Sequence, residues 1–572
     1  MRIELTDQYP KWTAARSVPG AWQDGRMWVV DDPNPRAAAV ICRLFPELQD
    51  VHPALTVLRD SLMQDARPFD RATEFDTPID APRVHEQLRS LDCARCNMLP
   101  QEGVDPDCPV CGGTGIGNFF PFQSIDLGYL AAVLRAHNAA EIAWDRGLGK
   151  TLGACALIDN LAADRILVVA PNTSKQVVWE DELRRFCPWL DIRIMPNGSP
   201  VKRGRLMQHV RTTTNPLVLI AHYESLALVA AERSQRKGWR QYGEWDLVVA
   251  DESHTLSRTT TLKHRSLMQV PTAMKLSATG SMIQNHPEEW YGRLRWMFPK
   301  VYSSKWRDWN NRYLEYVEAD YGKTLIGPMP HRIEAMRAEL GVFTVYRRKS
   351  DELDLPPTQE QTIKLDLNPE QRRAYNELRD ELVTTLDSGE TVSALEPVVL
   401  LTRLRQLATG IELLSGRLAD STKLDWTVAR IKARPDSAFI CFSWFKPAAV
   451  ALAERLAAEG ESTFLCTGDT THKQRRDRIR GFQAGDGGRV FVGTISTLGE
   501  SVNLHRANEG IFVDQSFNPA QNEQAIDRYN RIGQKQATET TKLVSRDTVD
   551  ELVVLPNIAN KEALRRMITG GV

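Results

Sequence analysis

From about residue 118 the chain alternates between short apolar runs and stretches of helical texture. Arg165-Ile166-Leu167-Val168-Val169-Ala170, Leu217-Val218-Leu219-Ile220-Ala221 and Asp246-Leu247-Val248-Val249-Ala250 are runs of this kind, each closed by polar or small residues. Continuous apolar strands between helices predict a parallel sheet covered on both faces. Between about 300 and 420 the texture becomes charged and helix-forming, with few strand signals. It then resumes with Ser437–Phe442, Arg489–Gly493 and Gly510–Asp514. The pattern predicts two α/β lobes, 118–299 and 421–552, around helical insertions and a linker at 300–420. Residues 1–90 form an N-terminal accessory region rich in Pro, Arg, Asp and Trp, 91–117 a cysteine module, and 553–572 a tail.

Composition narrows the function classes. A length of 572 residues suggests roughly three or four domains. With 42% hydrophobic and 25% charged residues, wholesale disorder is excluded. Lys plus Arg number 72 against 73 Asp plus Glu, a net charge of −1. That excludes a uniformly basic coat but allows a local basic track. No apolar run approaches the about 20 residues of a membrane span. Met1–Leu5 lacks the apolar core of a secretory signal. The expected location is therefore the cytoplasm, of bacterial or viral type, with the nucleus left open.

Nine cysteines, an odd count, argue against a disulfide scaffold. Cys93, Cys96, Cys108 and Cys111 form two C-x-x-C pairs eleven residues apart, a spacing suited to one tetrahedral Zn²⁺ held by four thiolates. The module is either a structural clip onto the first lobe or a DNA contact. His85 is set aside as a ligand because four thiolates complete the shell. Cys42, Cys155, Cys187, Cys441 and Cys466 read as small buried apolar residues.

Two segments carry phosphate chemistry. Ala143-Trp144-Asp145-Arg146-Gly147-Leu148-Gly149-Lys150-Thr151 opens a helical stretch. Gly147 and Gly149 let backbone amides close around phosphate, Lys150 supplies a point charge, and Thr151 a hydroxyl for Mg²⁺. Trp144 stands where the first glycine of such a loop belongs, so the string alone is as consistent with a chance glycine-rich turn. About a hundred residues on, Asp251-Glu252-Ser253-His254 ends an apolar strand, the end where open parallel sheets bind ligands. Asp251 suits the Mg²⁺ shell, and Glu252 suits orienting and deprotonating an attacking water. By itself this tetrapeptide also fits a solvated acidic turn.

Taken in order, these residues resemble helicase superfamily two, specifically its Swi/Snf-type branch of double-stranded-DNA translocases. The Gly147–Thr151 string is similar to the family's loop, and Phe122-Gln123 stands where the family places a Gln that reads adenine. Leu276–Gly280 with Gln284-Asn285, Tyr346–Lys349 with Leu355–Pro357, Leu401–Gln406 with Lys423-Leu424, Phe442–Phe445, Thr494–Leu504 and Phe517–Pro519 resemble its later motifs. Glu500 and Ser501 replace the usual paired glycines. Gln524–Lys535 is the most specific match, with Arg528 and Arg531 three apart on one helical face. The resemblance runs from about 118 to 552.

It implies two RecA-like parallel-sheet lobes, with ATP and Mg²⁺ held by Gln123, Gly147, Gly149, Lys150, Thr151 and Asp251. It further implies catalysis by Lys150, Asp251, Glu252, Arg528 and Arg531, the last two reaching the γ-phosphate from the second lobe. The implied activity is an ATP hydrolase that translocates as a monomer on double-stranded or forked DNA, in remodelling, repair or recombination, without a membrane. A strand-separating DNA or RNA helicase is the rival, disfavoured by Gly533-Gln534-Lys535. A non-catalytic DNA-binding scaffold is a third reading, disfavoured by the intact catalytic set. Lys202–Arg205, Arg236–Arg240 and above all Lys473–Arg480 are candidate phosphate contacts, each also readable as a solvated face. Ser17–Trp22 and Arg26–Val30 suggest a hairpin similar to the accessory hairpin of the annealing-helicase branch, or simply a packed Trp-bearing β-unit.

Overall fold

Two parallel sheets dominate the computed structural model of the chain. The structure describes residues 2–6, 22–24, 27–31, 77–96, 108–112, 114–171, 178–196, 199–230, 238–280, 287–302, 306–319, 322–329, 332–353, 358–385, 391–393, 396–415, 421–498, 504–531, 534, 536–559 and 561–562. At the N-terminus β1 (Arg2–Thr6), β2 (Trp22–Asp24) and β3 (Met27–Asp31) form a small antiparallel sheet in the order β1-β3-β2. The expected hairpin is present as β2 and β3, with Trp22 opposite Val29; Ser17–Ala21 and Arg26 lie outside the described residues.

The first lobe is built on β4 (Ala139–Trp144), β5 (Arg165–Ala170), β6 (Asp191–Ile194), β7 (Leu217–His222), β8 (Trp245–Asp251) and β9 (Thr272–Ala278). Beyond a hairpin of β10 (Leu314–Ala319) and β11 (Gly322–Pro328), β12 (Thr344–Arg347) returns to this sheet. Its order is β12-β4-β9-β8-β5-β7-β6, all parallel. The second lobe uses β13 (Thr358–Leu365), β16 (Phe439–Ser443), β17 (Thr463–Cys466), β18 (Val490–Thr494), β19 (Glu509–Phe512) and β20 (Thr538–Ser545), ordered β13-β20-β19-β16-β18-β17 and again all parallel. A short hairpin, β14 (Val383–Thr385) with β15 (Thr391–Ser393), lies between β13 and β16.

The stretch expected to be a helical insertion therefore supplies an edge strand to each lobe. Both strands escape a hydrophobicity reading: in β13 half-buried and exposed positions roughly alternate along Thr-Gln-Glu-Gln-Thr-Ile-Lys-Leu, and β12 has only four residues, ending at Arg347. The central strands were legible because both their faces are covered. In the second lobe Phe439, Cys441 and Ile511 enter one core while Ile440, Phe442 and Phe512 enter the other, as strand alternation requires.

Seven helices matter for the site: α1 (Pro82–Arg89), α2 (Pro121–His137), α3 (Lys150–Asn160), α4 (Glu180–Phe186), α5 (Trp290–Met297), α6 (His472–Ala484) and α7 (Pro519–Ile526). The N-terminal end of α1 is held by Asp159 at the far end of α3. Its Oδ2 accepts from the backbone N–H groups of Arg83 (2.8 Å) and Val84 (3.1 Å). Ile79, Ala81, Val84, Leu88, Val110, Phe119, Phe120 and the four cysteines share the hydrophobic core of the first lobe, so the cysteines are welded to that lobe. Cys155, Cys187, Cys441 and Cys466 are buried, as small apolar residues would be; Cys42 lies outside the described residues. No described helix is long and apolar enough to cross a membrane.

One polar residue interrupts the fully buried β4. Glu141 accepts from Arg293 Nη1 (2.9 Å) on α5, with both side chains 1% exposed, and from the hydroxyls of Ser277 (2.9 Å) and Thr344 (3.2 Å). Removing one partner of such a pair leaves a buried charge. Arg293→Ala is expected to destabilise the first lobe by about 3–5 kcal/mol. Denaturant unfolding followed by tryptophan fluorescence checks this, and an unchanged midpoint would contradict it.

Candidate active site

The glycine-rich loop starts one residue later than the sequence suggests. Trp144 is the last residue of β4 and fully buried. Its indole N–H donates to Asp126 Oδ2 (3.0 Å), and its ring meets Phe122 edge-on at 5.4 Å. It is a core residue rather than a substituted loop glycine. The loop proper is Asp145–Gly149. Gly147 and Gly149 have φ of 88° and 84°, the left-handed region in which a side chain is strained. A Cβ on Gly149 would lie 2.6 Å from Gln123 Nε2.

Lys150 turns its ammonium back onto the loop, donating to the carbonyls of Trp144 (2.9 Å) and Asp145 (3.1 Å). Burial lowers its pKa, with Glu252 opposing. Gln123 ties the loop to α2: its Oε1 accepts from Phe120 N (2.9 Å) and its Nε2 donates to Leu148 O (2.8 Å). In this structure Gln123 thus acts on the loop itself.

The turn after β8 presents two carboxyls. Asp251 Oδ2 accepts from Trp179 Nε1 (2.8 Å) and Oδ1 from Glu252 N (2.9 Å). Glu252 has φ 45°, a conformation that costs a non-glycine residue about 1–3 kcal/mol and persists only where the surroundings impose it. Burial, then the charge of Glu252, pushes the Asp251 carboxyl up to about 6. Burial would also raise Glu252, but His254, Arg146 and Lys150 together hold it below the ordinary carboxylate range. His254 Nδ1 lies 3.2 Å from Glu252 Oε2, a charge contact without hydrogen-bond alignment.

Behind the carboxyls, Ser277 Oγ lies 2.8 Å from Ser253 Oγ and donates to Glu141, so the turn is tied to β9 and to the buried Arg293 pair. The strand that follows approaches the loop: a Cβ on Gly280 would lie 2.6 Å from Arg146 Cγ.

The second lobe closes the site. Arg528 Nε donates to Gln524 O (3.0 Å) beyond α7. Burial, then the charges of Arg531 and Arg146, lowers Arg528 to about 9. Arg531 Nε is buried with no hydrogen-bond partner. All nine residues expected to hold nucleotide, from Gln123 to Arg531, line one cavity of about 810 Å³.

Sequence reasoning missed several residues. Arg146 lines the cavity, and its Nη1 donates across the cleft to Ala520 O (3.1 Å). Lys349 bridges the lobes, donating to Asn530 O (2.8 Å) and pairing with Asp527. Both stand inside strings already singled out, so their position was the available signal; nothing marked Trp179.

The four expected cysteine ligands also come together. Their sulfurs lie within 4.8 Å of one another and all four side chains are buried. Cys93 and Cys108 sulfurs are 3.8 Å apart, Cys96 and Cys111 3.6 Å. A tetrahedron with 2.3 Å zinc–sulfur arms has edges of about 3.8 Å, so the set fits Zn²⁺. Gly115 N donates to Cys111 Sγ (3.3 Å), the outer contact such a thiolate takes. His85 packs edge-on against Phe119 at 4.9 Å.

Of the basic segments, α6 exposes Lys473, Arg476 and Arg480, while Arg478 turns inward to Leu465 O. Arg203 and Trp239 are buried, which removes them as DNA contacts, and Arg236 and Lys237 lie outside the described residues. Gln284-Asn285, Leu355–Pro357, Glu500, Ser501, Gly533 and Lys535 also lie outside them.

The Gly149 geometry generates a prediction. Gly149→Ala places a side chain at positive φ and against Gln123, and is expected to weaken binding of a triphosphate about tenfold or more. Titration with a fluorescent ATP analogue checks this; unchanged affinity would mean that the loop does not cradle phosphate.

Comparison with known proteins agrees with this geometry. The model of the SNF2-related domain matches residues 122–411, and that of the helicase conserved C-terminal domain matches 422–533. A "Chromodomain-helicase-DNA-binding protein 1-like" of Danio rerio is 27% identical over 77% of this chain and 43% of its own length. The human "SWI/SNF-related matrix-associated actin-dependent regulator of chromatin subfamily A member 1" is 26% identical over 76% and 42%. The "ISWI chromatin-remodeling complex ATPase ISW1" of Saccharomyces cerevisiae is 24% identical over 77% and 39%. The chain thus spans less than half the length of these relatives. A solved structure described as the "Sulfolobus solfataricus SWI2/SNF2 ATPase core in complex with dsDNA" aligns with 80% of this chain and 94% of that chain, at 21% identity and a TM-score of 0.37. The expectation of a cytoplasmic protein is corrected by the relatives: those from yeast and human are named for chromatin, which points to the nucleus. The two matched domains, in the order and at the residues where the cavity is built, place this chain in the SNF2-related family of helicase-type ATPases.

Proposed function

We propose that this chain is a DNA-stimulated ATPase that translocates on double-stranded DNA and serves DNA remodelling, repair or recombination. The observation that carries the reading is Arg531. Its Nε is buried without a partner in the cavity that also holds Lys150, Arg146 and Arg528. Asp527 and Glu182 act on Arg531 through their charge, yet its Nε–H has no acceptor; an anionic ligand would supply one, and the cavity's cations come from both lobes.

In this reading Lys150 leaves the loop carbonyls for the β- and γ-phosphates, while the Gly147–Gly149 amides close around them. The donors at the cavity wall, the Thr151 hydroxyl and the Asp251 carboxylate, are hard oxygens suited to Mg²⁺. When bound, that ion neutralises charge on the phosphates. Glu252, held ionised by its cationic neighbours, orients the attacking water and takes its proton. Arg528 and Arg531 place fixed charge where phosphoryl charge develops. Because they stand on the second lobe, turnover is tied to lobe closure.

Lys473, Arg476 and Arg480 on α6 are the proposed backbone contacts to DNA. The name of the Danio rerio relative, which includes "DNA-binding", supports the choice of partner. The N-terminal β-sheet is a candidate for preference toward forked DNA, and the cysteine site a candidate zinc centre.

Arg531→Ala is expected to lower ATP turnover at least ~100-fold while leaving nucleotide affinity nearly intact. Parallel steady-state and binding measurements test this, and an equal loss of both would sink the split site. Turnover with duplex, forked and single-stranded DNA and with RNA tests the partner. Duplex or fork stimulation is expected, whereas RNA-only stimulation would replace this reading with that of an RNA helicase. Lys473→Glu and Arg476→Glu together should reduce the salt slope of DNA binding by about 1 per lost phosphate contact. An unchanged slope would move the track elsewhere.

A further inference from the structure

The cavity has a second lining that phosphate chemistry does not require. Leu88, Leu91 and Asp92 before the cysteine segment, Ala94 between its first two cysteines, and Gly117 and Asn118 after it, face the same space as Lys150 and Arg531. Three of these residues are apolar side chains, whereas the phosphate-binding side is cationic. A nucleotide entering with its phosphates on the cationic side therefore presents its base and ribose to this wall.

The wall is the two legs of one closed loop. Gly117 N donates to Leu91 O (2.7 Å), Cys93 N to Gly115 O (2.8 Å), and Asp92 bridges Ile116. The four sulfurs join the legs at the point where these bonds end. On its other side the loop is tied to the phosphate-binding helix itself, through Asp159 on α3 capping α1. A Cβ on Gly117 would lie 2.4 Å from Leu88 O, so the legs are packed without slack. Backbone bonds hold the legs near Leu91–Cys93, and a cation among the four sulfurs, at 3.6–3.8 Å pair separations, would add a tie where those bonds end.

We propose that residues 88–94 and 117–118, the legs that the cysteine cluster closes, are the nucleoside-facing wall of the ATP pocket, and that a Zn²⁺ held by Cys93, Cys96, Cys108 and Cys111 sets the affinity for nucleotide. This rests on the nucleotide reading of the cavity. The metal centre acts on ATP binding through the position of Leu91 and Ala94, and contact with DNA is not its task. Linkage makes the coupling reciprocal: bound nucleotide tightens the metal by the factor by which the metal tightens nucleotide.

The test uses the full chain, zinc determined by elemental analysis, and titration with fluorescent ADP. Wild type is expected to carry about one zinc. Cys108→Ser is expected to lose it and bind ADP about tenfold more weakly, with nucleotide-free affinity for duplex DNA unchanged. Ala94→Trp, which leaves the thiols intact, is expected to keep zinc and to weaken ADP binding similarly. Saturating ADP should slow zinc transfer to a chelator from wild type, and not from Ala94→Trp. ADP affinity unchanged in zinc-free folded protein, or in Ala94→Trp, would overturn the proposal; so would zinc release indifferent to ADP. Should Cys108→Ser fail to fold, Ala94→Trp and the release rate decide. Failure of the nucleotide reading looks different: wild type itself would bind no ADP, or Lys150→Ala would bind it as well as wild type.

Discussion

Cations from both lobes facing one cavity are the constraint around which the protein is arranged. Arg146 and Lys150 belong to the first lobe, Arg528 and Arg531 to the second, and all line the same space. Burial lowers the pKa of Lys150, Arg528 and Arg531. The carboxylates of Glu182, Asp251, Glu252 and Asp527 share this space and offset part of that charge. The Lys150 ammonium rests on two loop carbonyls, a weak substitute for phosphate oxygens. Glu252 is kept at positive φ with its carboxylate among these cations. The bridges from Arg146 to Ala520 and from Lys349 to Asn530 hold the lobes close enough for both sets to meet one ligand.

A polar thread behind the carboxyls explains how the site can report its state. Ser253 follows Glu252, contacts Ser277 on β9, and Ser277 bonds Glu141, which pairs with Arg293. Each link is buried, so each bond is made in low dielectric and is costly to leave unmade. The Asp251–Glu252 turn is thereby tied to β9, the strand that leads to Gly280, which lies close against Arg146.

Much of this was legible in the sequence, and the misses have physical causes. Central strands showed as continuous apolar runs because helices cover both faces. The edge strand β13 did not, because solvent on one side permits Thr, Gln, Glu and Lys, and β12 did not because it is only four residues long. Trp144 was read as a flawed loop residue, since the sequence does not reveal that the strand continues through it to reach Asp126. Cysteine spacing announced a four-thiol cluster, but its weld to the first lobe depends on core contacts of Ile79, Val84, Leu88, Phe119 and Phe120 that no spacing rule contains. Gln123 lines the cavity, and its two hydrogen bonds to backbone tie α2 to the loop, which no motif announces.

The central claim is that one anionic ligand is bound by both lobes at once. Hydrogen exchange of the full chain, with and without a non-hydrolysable ATP analogue, tests it most directly. The account predicts that amides of the Asp145–Thr151 loop and of the Asp527–Arg531 segment gain protection together, at the same analogue concentration. Protection confined to the loop, with the second-lobe segment exchanging as in the free protein, would contradict it.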